Sequence, residues 1–150
     1  MRDLSRWCLY LVVTIQIGLS GFNPVQAQLS QDEYELAAYI VMPEMLLYRI
    51  VDGADDYLLI DVRPHDEFKS GHITGAVNLP LADGTFDERK DELPRNKTIV
   101  LVSEDGEEAL KALRILLQGD QGDTRKAFEE VLSIEGGMNN WPYKAYIVTE

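Results

Sequence analysis

Two short apolar runs constrain this chain most. Tyr57-Leu58-Leu59-Ile60 lies between Asp55-Asp56 and Asp61, and Thr98-Ile99-Val100-Leu101-Val102 forms a second uninterrupted run. A strand with one wet face alternates apolar and polar residues, so runs without alternation predict strands covered on both faces. Ala76-Val77-Asn78-Leu79-Pro80 is a shorter strand candidate, and Val131-Leu132-Ser133-Ile134 is a fourth. Helical patterns separate them. Pro43 opens one that carries Met45, Leu46, Ile50 and Val51 and ends at Asp52-Gly53; others run from Pro64 to Ser70, Phe86 to Leu93 and Gly106 to Leu117. In the last, Leu110, Leu113 and Leu117 recur at helical spacing against Glu107, Lys111 and Arg114. Strands alternating with helices predict an α/β fold, a central parallel sheet with helices on both faces. Ligands of such sheets sit beyond the carboxyl ends of the strands, so the loops to watch are Asp61 to Asp66 and Ser103 to Glu108.

The first residues read as an address. Arg2 and Arg6 precede an apolar stretch from Trp7 to about Leu19, polar residues follow through Pro24, and Val25-Gln26-Ala27 ends on a small side chain. That order predicts a secretory signal peptide over 1–27, hence a periplasmic or secreted product. The alternative is an uncleaved anchor, but the run is shorter than the roughly 20 apolar residues that span a bilayer and contains Gln16. Cleavage would remove Arg2, Asp3 and Arg6, shifting the formal charge from −12 to −13, and would remove Cys8, the one cysteine. A product without thiols suits an oxidising compartment. Residues 28–40 read as a polar lead-in, helical near Tyr34 to Ala38, and 41–150 as the domain. Gln118 to Thr124, rich in Gly and Asp, reads as a solvated loop.

The excess of 26 acidic over 14 basic residues argues against nucleic acid, whose binding needs clustered cations, and against anionic lipid. No membrane contact is expected after cleavage. One cysteine excludes a disulfide framework and a cysteine zinc cluster, and His65 is too isolated to be a ligand, so neither metal nor cofactor is expected.

The string from Leu59 to Pro80 contains Asp61-Val62-Arg63, Glu67-Phe68 and Gly71-His72-Ile73-Thr74-Gly75-Ala76-Val77-Asn78-Leu79-Pro80. Glu135-Gly136-Gly137-Met138-Asn139-Asn140-Trp141 follows near the C-terminus. Together, in this order and separation, they resemble the signature of rhodanese-like domains over about Val41 to Ile147. Each element also has a structural reading. Arg63 and Glu67, four apart, are expected to pair on a short helix. Gly71, Gly75, Gly136 and Gly137 supply backbone conformations that side chains disfavour. His72 is expected to be a hydrogen-bonded structural residue, and Trp141 a core anchor.

The resemblance implies a loop after the central strand that begins with a cysteine and usually carries an arginine, the thiolate relaying sulfur from thiosulfate or a related donor to a thiophilic acceptor. Such a site is physically sensible, because a helix N-terminus lowers a thiol pKa and cradles an anion. Here the loop reads Ser103-Glu104-Asp105-Gly106-Glu107-Glu108, with Ser103 at the cysteine position and Glu108 where arginine is common. No persulfide forms on oxygen, so this route is closed. A hydrolytic Ser103 would need a base, and only His65 and His72 exist. Glu104, Asp105, Glu107 and Glu108 would repel anionic substrates. Asp105 and Glu108 fit a capping box, with Glu108 reaching back to the Asp105 amide. A negative surface for a basic partner or a divalent cation is the sharper reading of the same acids. The expectation is an exported, non-catalytic domain that binds or regulates an unidentified protein or small molecule. The alternative is a divergent enzyme using the same loop pocket.

Overall fold

The computed structural model describes residues 36–118, 128 and 130–150. The expected signal segment with Cys8, lead-in residues 28–35 and loop residues 119–124 lie outside the described residues. In chain order the elements are β1 (Ile40–Val41), α1 (Pro43–Val51), β2 (Tyr57–Asp61), α2 (His65–Ser70), β3 (His72–Ile73), β4 (Val77–Asn78), α3 (Thr85–Arg89), β5 (Thr98–Val102), α4 (Glu107–Gln118), β6 (Glu130–Ile134) and β7 (Ile147–Val148). Turns of 3-10 helix occupy Lys90–Glu92, Gly137–Asn140 and Lys144–Tyr146.

Five strands form one sheet in the order β1-β6-β5-β2-β4, every pair parallel. Strand β5 is central and buried along its whole length. Its side chains alternate between two cores. Ile99 and Leu101 join Ile60, Phe86, Ala109, Ala112, Leu113 and Leu116 on one face, under α3 and α4. Val100 and Val102 join Leu46, Leu59, Ile73, Ile134 and Trp141 on the other, under α1. This two-sided burial is the α/β architecture that the unalternating runs predict. A second, two-stranded antiparallel sheet pairs β3 with β7.

Helix α4 is turned from its expected orientation. It buries Ala109, Ala112, Leu113 and Leu116, leaving Leu117 exposed and Leu110 half-buried. Two alanines in that stripe bring the helix backbone close to the sheet, a packing that a search for large apolar residues passes over. In α1 likewise Leu46 is buried, whereas Met45 and Val51 face outward. Strand β1 falls partly within the expected lead-in. At two residues it has no periodicity of its own and is defined by pairing Ile40 with Ser133 and Val41 with Ile134.

Because β1, β2, β5 and β6 are parallel, their carboxyl ends share one rim. Met42, Val62, Ser103 and Glu135 follow them there.

Candidate functional site

Loop 103–108 joins the end of β5 to the start of α4. The Ser103 side chain is fully buried, and its Oγ accepts the backbone N–H groups of Gly106 at 3.0 Å and Ala109 at 3.2 Å. The hydroxyl therefore takes up amides that the first turn of a helix leaves without partners. Asp105 Oδ1 takes a third, the Glu107 N–H at 3.0 Å. The expected capping box is not formed: Asp105 bonds the amide two residues on, and Glu108 makes no hydrogen bond back to it. Ser103 lies farther from the helix in sequence than a capping pattern requires, yet it does the capping. Replacing Ser103 with alanine should strand both amides and lower stability by about 1–3 kcal/mol in a urea titration. A loss under about 0.5 kcal/mol would mean that water or a shifted helix end satisfies them.

A second turn holds the loop from behind. Met138 N–H donates to the Ser103 carbonyl at 2.8 Å, and Asn139 N–H to the Glu104 carbonyl at 2.9 Å. Gly137, at φ +57°, makes this approach possible, since a Cβ there would overlap the Ser103 carbonyl and lie 2.9 Å from the Glu104 backbone. The Ser103 and Glu104 carbonyls thus point toward this turn, and the amides of Gly106 and Ala109 toward Ser103 Oγ.

The third wall is an ion-pair cluster. Asp61 ends β2 wholly buried. Its carboxylate accepts Arg63 Nε at 3.0 Å and Nη2 at 2.7 Å, and also the Arg63 backbone N–H. The same guanidinium donates through Nη1 to Glu104 at 3.2 Å and through Nη2 to the Gly71 carbonyl at 2.8 Å. Burial opposes the charge on Arg63, but hydrogen bonds and attraction from Asp61 and Glu104 outweigh it and raise its pKa above the usual arginine value. The expected Arg63–Glu67 pair does not exist. Pro64 stands in extended conformation before α2, so Arg63 precedes the helix and turns inward, while Glu67 is exposed on it.

Asn78 had no assigned role, yet it braces this wall by donating through Nδ2 to the carbonyls of Asp61 at 3.0 Å and Arg63 at 2.9 Å. Its place in the Gly-His-Ile string was the available signal. His72 is buried, with Nδ1 2.8 Å from the Phe68 carbonyl and its ring stacked on Phe68 at 3.6 Å. His65 is exposed and 3.2 Å from Asn78 Oδ1. Neither histidine is bonded to Ser103. Gly75 turns the chain between β3 and β4, Gly136 begins the turn behind the loop, and Trp141 is buried with Nε1 donating to the Tyr143 carbonyl. No cluster of three or more metal-ligating side chains occurs among the described residues, and no helix among them is long and apolar enough to cross a membrane.

The site thus brings together Asp61, Arg63, Gly71, the loop and the Gly136-Gly137 turn. It leaves Glu67 and His65 outside. Several of its hydrogen-bond donors have acceptors from the chain itself: Arg63 has Asp61 and Glu104, and the amides of Gly106, Glu107 and Ala109 have Ser103 and Asp105.

The model of the Rhodanese-like domain family matches residues 44–144. A sulfurtransferase of Allochromatium vinosum is 30% identical over 98 residues, covering 65% of this chain and 82% of the relative. YrkF of Bacillus subtilis is 29% identical over 94 residues, covering 63% of this chain; the match spans only 46% of YrkF. Among solved structures, a rhodanese-related protein from Thermoplasma volcanium superposes with a TM-score of 0.58 at 23% identity, covering 73% of this chain and 97% of that one.

Proposed function

Since this chain belongs to the rhodanese-like domain family, we propose that it is an exported, non-catalytic member, a module that binds or regulates a partner through the rim around loop 103–108. One observation carries the proposal: the residue at the head of the loop is a buried serine whose Oγ is bonded to the amides of Gly106 and Ala109. A sulfur relay needs a soft, polarisable nucleophile that can form a persulfide, and an oxygen at this position supplies none. Arg63 and the amides of Gly106, Glu107 and Ala109, which would attract an anion, are answered from within. Glu104 sits on the one guanidinium of the site, and Glu107 and Glu108 lie at the helix end where a donor anion would gain most. Covalent hydrolysis by Ser103 is no better supported, because its hydroxyl faces amides and not a base.

Export rests on the order of Arg2, Arg6, the apolar run and Ala27. Mass spectrometry of the chain recovered from its host should show a new N-terminus at Gln28; an intact Met1 on the exported product would remove that part of the proposal.

The enzymatic test is direct. Purified protein incubated with thiosulfate and cyanide should form thiocyanate at the rate of a buffer blank. Ser103→Cys should remain within about tenfold of that blank, because the acidic loop opposes both the thiolate and the anionic donor. Turnover by the wild-type chain would overturn the proposal, while strong rescue by cysteine would show that the loop carboxylates matter less than argued.

A further inference from the structure

We infer that the outer face of α1 is a docking surface for a cationic amphipathic helix of a partner protein. Met42, Met45, Tyr48 and Val51 recur at every third position, and they are 59%, 53%, 65% and 59% exposed. They supply four of the seven large hydrophobic side chains exposed among the described residues, all within one nine-residue helix and the residue that caps it. At about 100° per residue, Met45, Tyr48 and Val51 fan over about a third of the circumference of α1, with Met42 just before its first turn; isolated surface hydrophobes are ordinary, whereas such a cluster marks a contact surface. Methionine and tyrosine are also side chains that adapt to and grip a partner. At Met42 the row continues into a groove of about 340 Å³ lined by Ala37, Ile40, Val41, Met42 and Glu135.

Charge decides the occupant. Glu44 on α1, Asp52 at its end and Asp55 just beyond it are exposed, Glu44 accepting the Tyr143 hydroxyl at 2.9 Å, and Glu135 lines the groove. Arg49 is the one cation of α1, and it is held by Asp56 at 2.8 Å and approached by Glu130 at 4.0 Å. An apolar strip framed by carboxylates complements a helix with apolar residues on one stripe and Lys or Arg beside it. A second copy of this chain would bring the same acids face to face, at a formal charge of −12 each. An anionic membrane surface meets the same repulsion.

This inference rests on the reading of the chain as a binding module but uses a different surface from loop 103–108, so the two fail separately. The probe is a synthetic amphipathic Lys/Leu helix, with a Lys/Ser peptide of equal length and charge as comparison, titrated into the ¹⁵N-labelled full chain. Shifts on Lys/Leu addition should map to α1 and the Met42 groove. Affinity should fall at least about tenfold in a Met45→Ser, Tyr48→Ser variant, the loss expected when two anchors are truncated. Both sites are exposed, so that variant should keep the wild-type circular dichroism spectrum and urea midpoint. Glu107→Lys with Glu108→Lys, which alters loop 103–108, should leave this binding intact. Equal binding of the Lys/Ser peptide, unchanged affinity in the serine variant, or shifts centred on loop 103–108 would each overturn the inference. So would sedimentation showing a dimer that Tyr48→Glu dissociates, or vesicles of anionic lipid that bind α1 in place of the peptide.

Discussion

Gly137→Ala should lower the stability of the domain by about 2–5 kcal/mol, the sum of a positive-φ penalty near 1–2 and an overlap of backbone with backbone near 1–3. The added Cβ would meet the Ser103 carbonyl and the Glu104 backbone, neither of which can rotate away as a side chain does. Gly75→Ala is the control. Its φ is +81°, but nothing lies within 4 Å of the added Cβ, so only the conformational part should appear, about 1–2 kcal/mol. The two variants, compared in urea with a common slope, separate strain from collision. Equal losses would show that the turn behind the loop relaxes freely and does not position it.

The second large effect is expected at Arg63. Removing the guanidinium in Arg63→Met leaves the Asp61 carboxylate fully buried, with the Arg63 backbone N–H, at 3.0 Å, as its one remaining donor among the described residues. Breaking one side of a buried pair is worth about 3–5 kcal/mol, most of it the penalty of the orphaned charge. Neutralising that charge should therefore recover a substantial part: Asp61→Asn added to Arg63→Met should be more stable than Arg63→Met alone. A single-variant loss under about 1 kcal/mol would mean that Asp61 finds water or a proton when the arginine is gone. The variant also frees Glu104, so hydrogen exchange in loop 103–108 should rise as stability falls.

These expectations mark what was readable in the residues alone. Strands β2 and β5 were legible because burial on both faces leaves an unalternating apolar run, which needs no knowledge of neighbours, and β6 through Val131, Leu132 and Ile134. The five-stranded parallel sheet followed from their alternation with helices. Strand β1 was not legible, since two residues carry no period and owe their conformation to β6. Arg63 shows the limit for the site. A spacing of four suggests a helical pair, but Pro64 fixes an extended link in between, and the actual partners lie two residues back and 41 residues on. Ser103 shows it again: its identity could be read, but its bonds to Gly106 and Ala109 depend on how tightly the turn behind it presses the loop.

That turn also makes the site depend on residues far along the chain. The carbonyls of Ser103 and Glu104 find their partners on Met138 and Asn139, 35 residues farther along the chain. β2, β5 and α4 all precede those two amides in the chain. The shape of the loop therefore depends on a turn that lies beyond α4 and β6 and runs directly into the buried Trp141. Without residues 136–141 the carbonyls of Ser103 and Glu104 would lose the amides that hold them.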